Sequence, residues 1–435
     1  MALDLGRGRF TYLTVGLATA ALALAACGGS SGSATDNSSA AAPAESTAAT
    51  AAASPVAAGP GSLECRDGKI TIGVAKAQSG GASFFDVAGT RGLEIAVDQI
   101  NAAGGIKGCQ LAIISGDSKS DPAIAAQVAQ QMIDQGAQIL VVPDDFDGGI
   151  AAAKVGQEAG LLTLSLAASS TQFGQAVGDL FFSGGITTTE LGLAQAQFAL
   201  DQGWQSTFQV LDPGLAYFTE QDVAYRSLYE MNGGEVLEVA TVDSLGGQAD
   251  FSAVISKIKE AEPAVVQALM VFPGVGTFVK QLRSAGVTTP VLGNVTLQTR
   301  ELPKLVGEEL SNDIYYAGQV YFNGAGIDPN TDPSIAQFAE EYEAKFGQFP
   351  EQANAPGAYQ TFLAVAQALQ QDGVVDAQTA ADAIRLQTGV PVPGGILDKW
   401  QDSYAIWDPA LVNIQEGQFG LVKTFSSADL RGSVQ

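Results

Sequence analysis

Cysteine and aspartate are the residues of this 435-residue chain whose types and spacing indicate chemistry, and histidine is absent. Without histidine the chain has no Ser-His-Asp or Cys-His catalytic arrangement, and most catalytic zinc sites are excluded as well. Ser-Lys and carboxylate mechanisms do not need histidine, but the sequence contains no motif for either. It also lacks a nucleophile elbow and a phosphate-binding loop. We therefore expect a protein that is not an enzyme and that needs no cofactor.

Cys27 lies in the stretch LALAACGGSSGS, after an apolar run that begins at Phe10 and follows Arg7 and Arg9. This order of charge, apolar run and small residues is typical of an export signal. A membrane span needs about 20 apolar residues and usually has charge on its far side, whereas Gly, Ser and Ala follow here. The residues LAAC at 24–27 are similar to a bacterial lipobox, whose cysteine sulfur is acylated. We expect residues 1–27 to be a lipoprotein signal with lipid on Cys27; an ordinary secretory signal with an incidental cysteine is the alternative.

The other two cysteines are predicted to form a disulfide. Cys65 precedes a predicted strand at residues 69–74, and Cys109 precedes another at residues 110–114. If these strands are neighbours in a parallel sheet, both cysteines lie at the same edge. An exported chain is also in a compartment that permits disulfides. We therefore expect a Cys65–Cys109 disulfide, and two free thiols are the alternative.

The segment after Cys27 differs in composition from the rest of the chain. Residues 28–62 are mainly Ala, Ser, Thr, Gly and Pro, and such a segment cannot bury enough surface to offset chain entropy. We expect a disordered tether there, followed by a folded part from about residue 63 that is long enough for two domains. The net charge of −25 argues against nucleic acid as a partner, because its phosphates would be repelled.

Three aspartates follow the predicted strand QILVV, at Asp144, Asp145 and Asp147. Their charge would attract a cationic ligand, but the simpler alternative is that Asp147 caps the helix that follows. A calcium site is a lesser alternative, because the run lacks the full spacing of an oxygen-ligand loop. We expect no metal.

Short apolar strands alternate with amphipathic helices along the first half of the folded part. ITIGVAKAQSGG reads as a strand and a loop, and in the helix that follows Leu93, Ala96, Val97 and Ile100 share one face. Asp121 is the expected N-cap of the next helix, which has proline at its first position. This alternation is typical of a parallel sheet that is covered on both faces.

A second series of the same kind begins near residue 187. Strands are predicted at 207–211, 236–239, 265–270 and 290–292, and helices at 217–231, 251–261 and 275–285. Helices then follow at 334–346, 356–370 and 377–386, and strands at 410–415 and 419–424. Two such series predict two lobes, with more than one crossover between them and a cleft beyond the carboxyl ends of the strands.

These segments resemble the type I periplasmic solute-binding proteins, in the branch of Leu/Ile/Val-binding proteins that serves ABC importers of branched-chain amino acids and amides. The resemblance is carried by IGVAKAQSGG with GLEIAVDQINAAGGIKG, SDPAIAAQVAQQMIDQGAQILVV, LLTLSLAASS, DFSAVISKIKEAEPAVV and FVKQLRSAGVTTPVLGN. It implies an α/β fold of two doubly wound parallel-sheet lobes joined by a multi-strand hinge. Lobe 1 would comprise residues 63–186 and 320–400, and lobe 2 residues 187–319 and 401–435.

The family resemblance implies a substrate-binding lipoprotein of an ABC importer. Such a protein closes two lobes around a small solute and presents the closed form to permease subunits in the membrane. We expect a monomer that is lipid-anchored on the extracytoplasmic face of the cell membrane. A sensor that reports the same ligand to a membrane receptor is the alternative, because both functions use the same closure.

The resemblance also points to ligand contacts in lobe 1. Phe84 or Phe85 would form an aromatic wall of the cleft, and core packing of the next helix is the alternative. In the loops that hold a ligand carboxylate in the family, Ser169 takes the hydroxyl position and Ala168 a main-chain position, although serines there also cap helices. Phe146 stands where the family usually has a small hydroxyl residue, and this departure would make the wall more apolar.

In lobe 2 the resemblance places Tyr217 over the ligand and Phe272 at the lip of the cleft, while Tyr359 of lobe 1 would line the opening. Amino-acid binders commonly carry an acidic residue near the position of Asn294. A buried ammonium without a carboxylate partner is costly, so an α-amino acid is disfavoured unless Asp145 substitutes. We expect a ligand with apolar or aromatic bulk and a carboxylate or amide group, and a branched-chain amino acid is the alternative.

Overall fold

A computed structural model describes residues 61–319, 333–350 and 352–434, which lie in one compact unit, Ala57–Gln435. The predicted signal with Cys27 and residues 28–60 of the predicted tether lie outside the described residues. The last two tether residues contact the folded part: the N–H of Ala377 donates to the C=O of Gly61 at 2.8 Å, and Ser62 pairs with Asp376. Among the described helices, none is both long and apolar enough to cross a membrane.

The strands form two sheets. The first contains β1 (Lys69–Lys76), β2 (Gln110–Asp117), β3 (Ile139–Val141), β4 (Leu162–Ser165), β5 (Phe181–Ser183), β11 (Thr388–Val392), β12 (Gly395–Gln401) and β13 (Tyr404–Ile406). The second contains β6 (Ser206–Leu211), β7 (Glu235–Thr241), β8 (Val265–Leu269), β9 (Val291–Gly293), β10 (Ile314–Gly318), β14 (Ala410–Gln415) and β15 (Gln418–Thr424). The strand orders are β11-β12-β13-β5-β4-β3-β1-β2 and β15-β14-β10-β9-β8-β6-β7.

Each sheet has a parallel part and an antiparallel edge. Strands β1 to β5 pair in parallel with their neighbours, and so do β6 to β10. Strands β3, β4 and β8 are buried along their whole length, as expected where helices cover both faces. The predicted two-sheet α/β fold is confirmed. It differs from the prediction at one edge of each sheet, where β11, β12 and β13 pair antiparallel, as do β10, β14 and β15.

The helices begin and end where the sequence provides caps and apolar faces. The side chain of Asp121 accepts hydrogen bonds from the N–H groups of Ala123 and Ile124, as predicted for an N-cap. Leu93, Ala96 and Val97 are buried on the predicted face of the first helix. The helices are α1 (Ser83–Ala102), α2 (Pro122–Asp134), α3 (Phe146–Glu158), α4 (Gln172–Val177), α5 (Thr188–Asp201), α6 (Ala216–Tyr229), α7 (Ser252–Ala261), α8 (Gly274–Ser284), α9 (Glu301–Val306), α10 (Pro333–Phe346), α11 (Asn354–Leu369), α12 (Ala377–Arg385) and α13 (Ser427–Gly432).

Each sheet and its helices form one lobe. The first sheet with α1 to α4 and α10 to α12 is lobe 1, and the second sheet with α5 to α9 and α13 is lobe 2. The chain passes between the sheets after β5, β10 and β13. The predicted lobe boundary at residues 400–401 falls within β12, because β12 continues into an antiparallel pair with β13 that stays in the first sheet.

Side chains link the crossing segments to each other. The side-chain oxygen of Gln319 accepts from the N–H of Ile186 at 3.0 Å, and its Nε2 donates to Gln360 at 3.1 Å. The indole N–H of Trp407 donates to the C=O of Gly184 at 2.8 Å. These bonds hold the chain passages after β5, β10 and β13 side by side.

Cys65 and Cys109 form the predicted disulfide, with their Cα atoms 5.7 Å apart. Strands β1 and β2 pair in parallel, and Lys69 lies opposite Gln110. This register brings together the two segments that precede the strands. The disulfide therefore ties the amino-terminal end of β1 to that of β2.

Candidate functional site

Loops beyond the carboxyl ends of the parallel strands enclose a cavity of about 380 Å³ between the two lobes. Lobe 1 contributes the loops after β1, β3 and β4, and lobe 2 those after β6, β7, β8 and β9. Residues 352–354, at the start of α11, also line it. Ligands of open α/β sheets bind at this end of the strands, so the cavity is the candidate functional site.

Aromatic side chains form much of the cavity wall. The predicted residues Phe84, Phe85, Phe146, Tyr217 and Phe272 all line it. Phe84 of lobe 1 and Phe272 of lobe 2 stack across the cleft, with ring centroids 6.2 Å apart and planes at 19°. Phe146 meets the buried ring of Phe173 edge-on. Aromatic side chains bury large apolar areas, so this wall fits a ligand with apolar bulk.

A buried ionic cluster of Lys76, Asp86 and Asp144 lies under the lobe 1 side of the wall. The Nζ of Lys76 is paired with Asp144 and lies 3.6 Å from Asp86. Asp86 accepts from the N–H groups of Ala77 and Asp144 at 2.8 Å, and Asp144 accepts from the N–H of Ala167 at 3.2 Å. These bonds join the ends of β1, β3 and β4, so the cluster positions the loops of the cavity.

Sequence reasoning overlooked Lys76 and Asp86. The signals were a lysine at the end of an apolar strand and an aspartate in the first turn of α1. Burial raises the pKa of Asp86 to about 6, and the nearby charge of Lys76 opposes this rise. A buried ion pair is costly unless its remaining polar atoms are bonded, and here the backbone supplies those bonds.

Asp145 is the N-cap of α3 and also lines the cavity. Its Oδ1 accepts from the N–H of Gly148 at 2.6 Å, while its Oδ2 is shielded from solvent without a hydrogen-bond partner in the described chain. Burial raises the pKa of Asp145 to about 7, and the charges of Asp86, Asp147 and Asp144 add to the rise. Asp145, rather than Asp147, therefore caps this helix.

Two carboxylates form hydrogen bonds between the lobes. Asp147 of lobe 1 accepts from the N–H of Ala216 in lobe 2 at 3.1 Å. Glu220 of α6 accepts from the hydroxyl of Ser170 at 2.6 Å, from Gln172 at 2.9 Å and from the N–H of Thr171 at 3.3 Å. Glu220 also accepts from the hydroxyl of Thr188 in its own lobe at 2.8 Å. The sequence analysis did not identify Glu220, because most of its partners come from the other lobe. The two lobes therefore contact each other beside the cavity in this structure.

The loop after β4 presents Ser169 to the cavity but not Ala168. Ala168 is 1% exposed, and its C=O accepts from the N–H of Gly185 and the hydroxyl of Ser183. A main-chain contact to a ligand carboxylate would use the N–H of Ala168, which these bonds do not involve, so that contact stays a prediction. Ala167 lines the cavity instead.

In lobe 2, Tyr217 lines the cavity, whereas Asn294 does not. Asn294 is fully buried: its side-chain oxygen accepts from the N–H of Thr296 at 2.8 Å, and its amide donates to the C=O of Met270 at 3.4 Å. It shapes the turn after β9, and Val295 and Thr296 form the wall there.

Tyr359 also lies outside the cavity wall. It is buried in α11, where its ring stacks on Phe338 with centroids 4.4 Å apart and its hydroxyl donates to Gln99 at 2.8 Å. The side chain therefore faces the helices of lobe 1 rather than the opening.

No group of three or more His, Cys, Asp or Glu side chains in the described ranges is arranged to hold a metal ion. The carboxyls that come closest to such a group, Asp86 and Asp144, are occupied by Lys76 and by backbone N–H groups. The site is therefore suited to binding an organic molecule through apolar contacts and a few polar groups.

Curated proteins of similar sequence have names that describe amino acid binding. The "Leu/Ile/Val-binding protein homolog 1" of Brucella abortus is 25% identical over 352 residues, which cover 76% of this chain and 90% of that protein. An "Amino acid binding protein" of Pseudomonas aeruginosa is 26% identical and covers 73% of this chain and 82% of its own length.

Solved structures share the fold. The substrate-binding protein of a branched-chain amino acid transporter from Streptococcus pneumoniae, in complex with isoleucine, has a TM-score of 0.71 at 22% identity and covers 82% of this chain and 99% of its own. A solute-binding protein from R. palustris in complex with 4-hydroxybenzoate has a TM-score of 0.71 at 17% identity, with 82% and 97% covered.

The family assignment rests on a match to a family model over more than half of the chain. A family model described as "Periplasmic binding protein" matches residues 69–413, which include both sheets up to β14 and the whole cavity wall. The chain therefore belongs to the periplasmic binding protein family, whose members bind solutes and are not enzymes.

Proposed function

We propose that this protein is the extracytoplasmic substrate-binding component of an ABC importer and captures a small organic solute by closing its two lobes. The observation that carries the proposal is the enclosed cavity of about 380 Å³ whose wall comes from both lobes. A solute there would contact Phe84 of one lobe and Phe272 of the other. Its binding energy would favour the closed form, and a permease would read that closure.

The ligand that we propose has branched aliphatic or aromatic bulk. The aromatic wall supports this, and so do relatives named for Leu, Ile and Val and structural neighbours in complex with isoleucine, 4-hydroxybenzoate and benzoate. Its polar group would be a carboxylate, an amide or the two charged groups of a branched-chain amino acid.

A screen for stabilising and compacting ligands tests this function. The exported chain with Cys27→Ser, which cannot be acylated, would be heated with amino acids, amides, aromatic acids and short fatty acids. A ligand at 100 times its dissociation constant stabilises the folded state by about 2.7 kcal/mol, and X-ray scattering should show a smaller radius of gyration. If no compound both stabilises and compacts the protein, the proposed function is wrong.

Replacement of an aromatic wall residue should weaken binding of the ligand that the screen identifies. Phe272→Ala removes the ring that stacks on Phe84, so we expect the dissociation constant to rise about 10- to 100-fold, from the loss of one buried aromatic contact. Phe346→Ala is the matched control, because Phe346 is also partly buried but does not line the cavity. Calorimetric titration of both variants would measure the difference.

We further propose that the protein is a monomer anchored to the membrane by lipid on Cys27. The stretch LALAACGGSSGS and the tether composition of residues 28–60 support the anchor. Mass spectrometry of the mature amino terminus should find a diacylglyceryl group on Cys27. An unmodified terminus beyond Cys27 would exclude the anchor, and light scattering of the purified protein would test the monomer.

A transport protein and a sensor would use the same closure of the lobes, but deletion of the gene would have different effects in the two cases. If the protein feeds an importer, deletion should abolish high-affinity uptake of the radiolabelled ligand, and the wild-type gene should restore it. Normal uptake together with a lost transcriptional response to the ligand would instead indicate a sensor.

A further inference from the structure

The charged lining of the cavity is acidic. Asp144, Asp145 and Asp147 line it, and no lysine or arginine of the described chain does. Lys76, beneath the wall, is 1% exposed and is paired with both Asp144 and Asp86. Lys76 pairs with the carboxyls of Asp86 and Asp144, and Asp145 and Asp147 add two further carboxyls, so the electrostatic potential on this side of the cavity favours cations.

Two polar atoms of the wall have hydrogen-bonding capacity that no described residue uses. The Oδ2 of Asp145 is shielded from solvent and accepts no hydrogen bond, although Oδ1 accepts one from Gly148. In lobe 2 the hydroxyl of Tyr217 is likewise shielded and donates no hydrogen bond, with the backbone of Val295 beside it. Two other hydroxyls of the wall are occupied: Ser170 donates to Glu220, and Thr296 to Met270. Buried polar atoms normally have partners, so these two atoms mark positions for the polar groups of a ligand.

A carboxylate on the ligand does not fit the position beside Asp145. The start of α3 would offer backbone N–H groups to an anion, but the N–H of Gly148 is taken by Asp145, and Asp147 lies in the same turn. At high pH the carboxylate of Asp145 has no proton to donate to an anion. Its negative charge would also repel a ligand carboxylate. A nitrogen-bound hydrogen would instead satisfy Oδ2.

We infer that the ligand presents an N–H donor, as an ammonium or a primary amide, to Asp145, while its apolar body lies between Phe84, Phe272 and Tyr217. This inference rests on the proposed function, because it specifies the head group of the captured solute. An ammonium is held more tightly than an amide, since it forms a charge-assisted bond to Asp145 and is attracted by aromatic faces. Asp145 therefore selects the head group.

Matched compounds that differ only in the head group test the inference. We would titrate the Cys27→Ser chain at pH 8 with 2-phenylethylamine, 3-phenylpropanamide and 3-phenylpropanoate. A second series would be 3-methylbutylamine, 4-methylpentanamide and 4-methylpentanoate. In at least one series the amine should bind at least tenfold more tightly than the acid, with the amide between them. An acid that binds as tightly as the amine in both series would overturn the inference and leave the proposed function intact.

Asp145→Asn is the diagnostic variant, and Asp121→Asn is its matched control. Both aspartates cap a helix of lobe 1 from extended backbone, but only Asp145 lines the cavity. Asparagine caps helices about as well as aspartate, so both variants should fold. We expect Asp145→Asn to reduce the preference for the amine over the acid to less than threefold and Asp121→Asn to keep it. An unchanged preference in Asp145→Asn would overturn the inference.

The pH dependence of binding provides a second readout. Burial raises the pKa of Asp145 to about 7, and the carboxyls that face it, Asp86, Asp147 and Asp144, add to the rise; Lys76 acts there through its pairs with Asp86 and Asp144. Amine affinity should fall about tenfold per pH unit below 7, as Asp145 takes a proton, and should be flat in Asp145→Asn. Amine affinity that rises on acidification would overturn the inference.

The outcomes separate the two proposals. If none of the six compounds binds but the wider screen finds a solute without an amine or amide group that closes the lobes, the inference falls and the proposed function stands. If no solute in either experiment stabilises and compacts the protein, both fall.

Discussion

Asp86 and Asp145 are carboxyls that lobe 1 holds away from water beside the cavity. Burial raises the pKa of Asp86 to about 6 and that of Asp145 to about 7. A carboxyl with a raised pKa binds its proton more tightly in the folded state than in the unfolded chain. Its contribution to stability is therefore full below the unfolded value of about 4, and it is lost as the pH rises through the folded value.

We predict that the ligand-free protein is more stable at pH 5 than at pH 8. The difference in the free energy of unfolding should be about 1–3 kcal/mol, because each unit of pKa shift is worth about 1.4 kcal/mol and partial solvent access reduces the effect. Urea denaturation at a series of pH values would measure it. Asp145→Asn should flatten part of the profile, and Asp121→Asn, which changes a capping aspartate outside the cavity, should not.

Asp117 should make the folded protein less stable at acid pH. Its burial would raise its pKa slightly, but hydrogen bonds from Ser79 and from the N–H groups of Lys119 and Gln78 lower it to about 2. A carboxyl of this kind contributes stability above its unfolded value and loses it as the pH falls. Stability should therefore decline again below about pH 4. A flat profile between pH 5 and 8 would contradict the account of Asp86 and Asp145.

At the scale of the elements, local patterns predicted most strands and helices. Apolar runs and capping residues act within a few positions of the chain, as the cap at Asp121 shows. Strands β11, β12 and β13 were not predicted. Strand β11 lies at the sheet edge and contains Pro391, and buried residues are sparse in β11 and β12, while β13 is only three residues long. Such edge strands are defined by their partners in the sheet rather than by their own pattern.

The same difference between local patterns and contacts with distant elements explains which residues of the site could be predicted. The family resemblance placed Phe84, Tyr217 and Phe272 in the wall, and in the structure they follow strands whose carboxyl ends meet. Tyr359 could not be excluded from the wall, because the direction of its side chain depends on how α11 packs against α1 and α10. The pairing of Lys76 with its two aspartates could not be predicted either, because it requires the loops after β1 and β3 to lie side by side.

The disulfide between the segments that precede β1 and β2 should stabilise lobe 1. It joins residues 44 positions apart, and a cross-link of this length restricts the unfolded chain enough to contribute about 2–4 kcal/mol. We predict that Cys65→Ser/Cys109→Ser loses this amount in urea denaturation under oxidising conditions. Dithiothreitol should cause the same loss in the wild type and no further loss in the double variant. Equal stability of the oxidised wild type and the double variant would contradict the prediction.

At the scale of the whole molecule, closure joins two lobes that have separate sheets. The hinge is held by Gln319, which bonds to Ile186 and Gln360. Opposite faces of the cleft meet through the stacked rings of Phe84 and Phe272 and through the carboxylate of Glu220. Opening of the cleft about this hinge would break the contacts across the cleft and keep the hinge bonds. Those contacts therefore add to the free energy of closure, and ligand affinity depends on them.

Glu220→Gln should therefore weaken ligand binding although Glu220 does not line the cavity. The variant has no negative charge to accept the hydrogen bonds from Ser170, Thr171 and Gln172. Hydrogen bonds to a charged group contribute about 1.5–3 kcal/mol each, and a neutral glutamine would retain part of this energy. We expect about tenfold weaker affinity, equivalent to about 1.4 kcal/mol, and a larger radius of gyration at half-saturating ligand. Glu235→Gln, exposed at the start of β7, is the control. If both variants bind alike, Glu220 does not stabilise the closed form, and the ligand alone must hold the lobes together.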